Sequence, residues 1–399
     1  AQSIYSWRGA DVRHILSFGE RYPDAVIYRI ETNYRSVPAI LAVSNVAIAG
    51  NTQRHEKELR SARPAGSMLP AVVPAPDNRT EAAFVARRID ELLDAGIAGR
   101  DIAVLYRAHF HSLDVQMELT RRHIPFRITS GLRFFEQAHV KDVVAFLRLL
   151  VNPRDEVAFR RIAGTFPGVG DATAAKLLAA WNEALEAWQT EHPGQSCPQQ
   201  PHSEVFASVR VAPKLRPYWA AFLSLMDSLH PAGSELTPAE LVGSVVAYLS
   251  PYLRSTYENW EEREEDLSQL SRTIDSSGDL DEFLSQVALL SEADKEVPDD
   301  DDCVTLSTIH QAKGLEWKVV FVIFLGEGLF PNRRVLESGD LTAMEEETRL
   351  FYVAVTRAED QLYLSYPRYN GRGYDRQYCP PSSYLTSLPP ELYDLWELN

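Results

Sequence analysis

Cysteine is scarce in this chain, with only Cys197, Cys303 and Cys379 among 399 residues. They are odd in number, far apart and free of Cys-x-x-Cys spacing, which excludes a disulfide framework and gives no metal-ligand pattern. Reduced thiols in a cytoplasmic protein account for such usage. No run of about 18 apolar residues occurs, so no stretch is suited to cross a bilayer as a helix. The opening residues, AQSIYSWRGAD, lack the basic-then-apolar order of a secretory signal, and they lack an initiator methionine. A phosphate loop of the form Gly-x4-Gly-Lys-Ser/Thr is missing as well. The region Gly164–Lys176 comes nearest to it, with the wrong spacing.

Positive charge is also in deficit. The formal net charge is -16, whereas phosphate binding usually leaves a basic surface. The imbalance is local, however. Between Glu258 and Asp302 there are 17 acidic residues against Arg263, Arg272 and Lys295, a net of -14, so the rest of the chain is close to neutral.

What is present suits a soluble protein of about two domains, with 45% hydrophobic and 24% charged residues. The most informative stretch is Val304–Asn332. Two apolar runs, Val304–Ile309 and Val319–Leu325, read as buried parallel strands. The polar loop His310–Lys318 joins them, and such loops at a sheet edge are where open α/β sheets bind ligands.

Further strands are expected at Val26–Thr32, Ala71–Pro76, Ile102–Tyr106, Pro125–Thr129 and Gln361–Ser365. Helices are expected at Asp11–Tyr22, after Ser36 as N-cap with Pro38 in the first turn, around Arg79–Ala95, at Ser112–His123, and at Leu341–Val355. Strands alternating with helices indicate a parallel sheet. From about Glu136 the pattern turns wholly helical, starting with Val140–Asn152, and Phe166–Leu178 reads as a Gly-x-Gly turn opening a helix. Gln189–Pro213, rich in Pro, Gln and Ser, reads as a loop. Pro298–Asp302 reads as a hinge back to the sheet.

Four stretches go beyond pattern: AQSIYSWRGA at 1–10, ETNYRS at 31–36, TIHQAKGLE at 308–316 and EEETRLFYVAVTRAE at 345–359. In order and spacing they resemble the UvrD/Rep/PcrA group of superfamily 1 DNA helicases from the third motif onward, over almost the whole chain. The resemblance implies an α/β fold: a RecA-like parallel-sheet second motor domain carrying a large inserted all-α domain. It implies a remnant of the first motor domain over 1–22, the second motor domain over 23–135 and 298–399, and the insertion over 136–297. The chain then reads as a fragment, the C-terminal part of an ATP-dependent 3′-to-5′ DNA helicase. ATP with Mg²⁺ would be its cofactor, single-stranded and junction DNA its partners, and the phosphate loop and Mg²⁺ ligands would lie in the missing motor domain.

Residue by residue, Arg35 and Arg357 match the family's two arginine fingers. That role suits a planar, permanently charged fork facing a γ-phosphate in the transition state. Gln2 matches the γ-phosphate sensor, Tyr34 the adenine-stacking ring, and Glu316 with Gly314 the ribose-binding turn. Tyr5, Trp7 and Arg8 match strand contacts, and stacking on aromatics is indifferent to base sequence. Arg107, Thr308 and His310 match phosphate contacts, while Gly168 and Gly170 match the duplex-binding turn of the insertion. The chain departs from the family at Pro167, where an Arg is usual, and at Gln137, His139 and His109. Two other readings remain open on sequence grounds: a non-enzymatic DNA-binding or protein-docking module, and a subunit of a helicase–nuclease.

Overall fold

The computed structural model describes residues 2–4, 13–26, 28–52, 54, 57–129, 134–193, 201–229, 236–258, 260–274, 280–292, 302–370 and 377–398. Its central element is a sheet of seven parallel strands: β1 (Ala71–Ala75), β2 (Ile102–Tyr106), β3 (Phe126–Ile128), β4 (Val304–Thr308), β5 (Trp317–Val322), β6 (Ala358–Pro367) and β7 (Asp394–Leu395). Their order across the sheet is β7-β1-β6-β5-β2-β4-β3. The continuous apolar runs behave as doubly covered strands should, since every residue of β1, β2 and β4 is buried. Pro74 sits in β1 without breaking a ladder bond. The Val72 carbonyl faces β7 and accepts from Trp396 N–H, so Pro74, two residues on, points to the same side beyond the end of β7.

Alternation along the strands divides the core into two layers. On one face Ala103, Leu105, Val320 and Val322 pack with residues of α1 (Pro38–Ala49) and α11 (Leu341–Val355). On the other, Ile102, Val104, Val319 and Phe321 pack with α2 (Asn78–Asp94) and α3 (Leu113–Arg121). The result is a three-layer α/β/α unit, as the sequence pattern implies. Asp77 caps α2, its Oδ1 accepting from Thr80 N–H at 2.9 Å and from Thr80 Oγ1 at 2.8 Å. Asp77→Ala is expected to lower the urea-unfolding free energy by about 1 kcal/mol. An unchanged midpoint would show that the cap is replaced by solvent.

The chain divides into two compact units, Ala1–Gly131 with Ala293–Asn399, and Leu132–Glu292. The second unit is helical: α4 (Ala138–Val151), α5 (Glu156–Gly164), α6 (Asp171–Glu191), α7 (Arg216–Leu229), α8 (Pro238–Thr256), α9 (Trp260–Ile274) and α10 (Leu280–Glu292). Trp181 of α6 is its best-buried large side chain. It stacks on Phe206, and its Nε1–H donates to the Pro153 carbonyl at 2.8 Å, so its one polar atom is satisfied. In this same unit His139 fills a buried position between Arg263 and Asp266, its Nδ1 lying 2.8 Å from Arg263 Nη1.

Several local expectations give way. Val26–Thr32 is not a strand of this sheet. Among the described residues of this stretch only Thr32 pairs, with Asn33 after it, in parallel with Arg60–Ser61, and Val26, Tyr28 and Ile30 are 72%, 86% and 77% exposed. The alternation is real, but the described residues provide no sheet against which its apolar face is buried. Ser36 does not cap α1: Val37 occupies the cap, with Pro38 first in the helix. Ser36 Oγ instead donates to the Ala358 carbonyl at 2.6 Å. Asp11–Tyr22 is represented by two single turns, Arg13–Leu16 and Phe18–Arg21. The two runs of Val304–Leu325 are parallel strands as expected, β4 and β5, with β2 between them.

Candidate functional site

A parallel sheet has two unlike edges, and register assigns each candidate to one of them. Thr308 pairs with Tyr106 at the carboxyl ends of β4 and β2, whereas Trp317 pairs with Ala358 at the amino ends of β5 and β6. Residues 309–316 must therefore run back across the sheet instead of turning at one edge. Ile309 and Ala312 are fully buried and fix this crossing to the core. Gly314 makes its last bend at φ +96°, a conformation costly for any side chain even though a Cβ would meet nothing within 4 Å. Thr308 and Glu316, eight residues apart, thus stand on opposite edges.

The amino edge gathers Arg35, Glu316 and Arg357. Asn33 Oδ1 accepts from the backbone N–H groups of Arg35 at 2.9 Å and Ser36 at 2.8 Å, which shapes the turn that presents Arg35. The Arg35 Nε–H donates to Glu316 Oε2, and its Nη1 donates to the Thr356 carbonyl at 3.2 Å. Arg357 follows Thr356, the C-cap of α11, and is 2% exposed. It donates through Nε to the Val353 carbonyl at 3.1 Å, through Nη1 to the Leu315 carbonyl at 2.8 Å and through Nη2 to Thr356 Oγ1 at 3.2 Å.

Burial and then the neighbouring Arg35 push the Arg357 guanidinium down to about 10, against the opposing pull of Glu316. Two cations thus share one rim with Glu316, while Glu359 and Asp360 at the start of β6 add negative charge to the same edge. Tyr34, beside Arg35, is 79% exposed and presents an open ring face. Arg35 and Tyr34 are thus open to a ligand, whereas Arg357 is enclosed and donates to protein acceptors through Nε, Nη1 and Nη2. Among the described residues no cluster of His, Cys, Asp or Glu is suited to a metal ion.

The carboxyl edge holds Arg107 and Thr308, with His310 leading the turn just past it. Arg107 lies one residue beyond β2. Its Nε donates to Glu347 Oε1 at 2.8 Å and its Nη2 lies 2.7 Å from the same oxygen, so a nearly buried carboxylate of α11 orients it. Near the end of β6 a small antiparallel pair, Tyr369–Asn370 with Gln377–Tyr378, sets two tyrosine rings edge to face at 5.6 Å. Tyr378 is 63% exposed, a surface on which a base could stack. Alternation of Tyr with Arg in 366–378 is the sequence signal for this pair.

The remaining candidates are not joined to either cluster. Gln2 is exposed, while Ile4 enters the sheet core and the Ser3 carbonyl accepts from Arg349 Nε at 2.8 Å. Tyr5, Trp7 and Arg8 lie outside the described residues. Gly168 (φ +74°) and Gly170, the N-cap of α6, belong to the helical unit. No helix among the described residues is long and apolar enough to cross a membrane.

Residues 28–207 and 250–369 match the family model described as the UvrD-like helicase C-terminal domain. The ATP-dependent DNA helicase UvrD1 of Mycobacterium tuberculosis (strain ATCC 25618 / H37Rv) is 34% identical over 423 residues, covering 98% of this chain and 53% of that protein. The probable DNA helicase II homolog of Rickettsia felis is 30% identical, covering 98% of this chain and 59% of its own length. The ATP-dependent DNA helicase PcrA of Staphylococcus epidermidis (strain ATCC 12228 / FDA PCI 1200) is 29% identical, covering 98% and 54%. The chain spans about half the length of the curated relatives it matches.

Proposed function

Because the chain belongs to the UvrD-like helicase C-terminal domain family, we propose that it is the second motor domain, with its helical insertion, of an ATP-dependent 3′-to-5′ DNA helicase. The observation that carries this reading is the meeting of Arg35, Arg357 and Glu316 on one sheet edge, from segments up to 322 residues apart in sequence. Arg35 and Arg357 would face the γ-phosphate, Glu316 would accept from a ribose hydroxyl, and Tyr34 would stack on the base. ATP, when bound with Mg²⁺, supplies the phosphoryl group whose transfer to water releases the free energy. Its remaining contacts, the phosphate loop and Mg²⁺ ligands, would come from a preceding motor domain. Exposed Val26, Tyr28 and Ile30 support a segment made to lie against such a domain.

At the carboxyl edge Arg107, Thr308 and His310 would hold backbone phosphates, and Tyr5, Trp7 and Arg8 would contact the strand as the resemblance implies. The crossing 309–316 joins the two edges through buried anchors, so a displacement of Glu316 on nucleotide binding has a stiff route to Thr308. Gly168 and Gly170 would approach duplex DNA from the helical insertion.

The purified chain alone is expected to show neither DNA-stimulated ATPase nor unwinding. Joined to a preceding motor domain it should show both, and it should unwind 3′-tailed in preference to 5′-tailed duplexes. Turnover by the isolated chain would overturn the division of labour, and preference for 5′ tails would overturn the polarity. The acidic stretch Glu258–Asp302 favours a second reading, a protein-docking module without motor activity. A coding sequence that places a phosphate loop upstream excludes it.

A further inference from the structure

Arg63 lies two residues past the strand Arg60–Ser61, in a segment that carries no motif. Its Nη1 donates to the Arg35 carbonyl at 2.5 Å and to the Glu359 carbonyl at 3.4 Å, while its Nη2 pairs with Asp360. The same hook is tied down elsewhere: Ser61 Oγ donates to the Ser36 carbonyl at 2.7 Å, and the Arg63 N–H donates to Ser61 Oγ at 2.9 Å. Across the gap, Val37 N–H donates to the Glu359 carbonyl at 2.9 Å. One planar group therefore binds the loop bearing Arg35 to the start of β6, directly after Arg357.

We propose that Arg63 is a positioning residue that sets the spacing between Arg35 and Arg357 without itself meeting the nucleotide. This rests on the proposed ATP-facing role of that edge. The chemistry explains the choice of side chain: an arginine fork donates in two directions at fixed angles, enough for two carbonyls and a carboxylate, whereas a lysine ammonium is a single swivelling point. Arg63 is about a third exposed, so its tie governs local geometry more than folding.

The test is Arg63→Ala and Arg63→Lys in the full-length protein. DNA-stimulated kcat should fall about 10- to 100-fold in the alanine variant. ADP affinity and Tm should stay at the wild-type values, because neither depends on the reach of the two arginines to a γ-phosphate. Arg63→Lys should recover part of the rate. An unchanged kcat in Arg63→Ala overturns the proposal. Should that variant fail to fold, Asp360→Asn loosens the same clamp and carries the same expectation. In the isolated chain, NMR exchange of the Arg35 Nε–H should quicken in Arg63→Ala, and retained protection also overturns the proposal. Because that measurement needs no turnover, a full-length wild type without ATPase would sink the motor reading and leave the clamp to be judged by exchange.

Discussion

Arg35→Ala in the full-length protein is expected to cut DNA-stimulated ATP turnover by about 10³-fold or more, the range over which an arginine finger acts, while leaving the fold intact. The reason lies in how loosely Arg35 is held. Its side chain is 28% exposed and its partner Glu316 51% exposed. Ion pairs in such surroundings contribute about 0–1 kcal/mol, so exchange of the carboxylate for a phosphate is cheap and loss of the pair costs little stability. Arg357→Ala should behave differently. That guanidinium is buried and donates to the Leu315 carbonyl, so its removal leaves this acceptor unpaired, while the Val353 carbonyl keeps the Thr356 hydroxyl. The expected signature is a similar loss of turnover accompanied by a lower Tm. Rates from single-turnover ATP hydrolysis and Tm from calorimetry separate the two. Wild-type turnover in Arg35→Ala would remove this edge from the reaction.

The second large effect concerns pH. Glu81, in the first turn of α2, is 1% exposed. Its Oε1 accepts from the Phe324 N–H at 3.0 Å and from Ser365 Oγ at 2.6 Å, and Oε2 has no hydrogen-bond partner among the described residues. Burial, which outweighs those two bonds, pushes its carboxyl up to about 7, with Asp114 adding in the same direction. Because the folded value lies above the unfolded one, folding favours the protonated form. The contribution is whole below about pH 4.5, fades as the unfolded chain ionises, and is gone once pH passes about 7. Over that window the wild type should lose about 3 kcal/mol.

Glu81→Gln keeps an acceptor for Phe324 and Ser365 and cannot ionise. It should match the wild type near pH 4.5 and exceed it by up to about 3 kcal/mol at pH 8. Urea unfolding at both pH values checks this, and parallel profiles for the two proteins would refute it. Asp114, pushed up to about 6 by its own burial, moves in the same sense and contributes, with Asp142 and Glu359, to the slope the variant retains.

The split between chain and fold is clearest along Thr308–Glu316. Its residues reveal a buried strand and a polar turn, because those signals are local. That the stretch passes from one edge to the other follows from β4 and β5 being parallel; what its residues do not reveal is that β2 lies between those two strands. Strand order is a long-range property that alternation along one strand does not encode. The same reasoning covers Val26–Ile30, where periodicity revealed an apolar face but not whether a neighbouring layer was there to cover it. Arg63 carried no motif, and only tertiary contact gives it a place beside Arg35.

By itself the sequence determined the helicase family, the strands β1, β2, β4 and β5 to within a few residues, and the residue types available for nucleotide and strand. The tertiary structure decided that these types separate onto two edges, and that Arg35, Glu316 and Arg357 close on one another. The physical reason is that hydrophobic period and turn chemistry act over a few residues, whereas the meeting of two cations and a carboxylate depends on how whole strands are stacked.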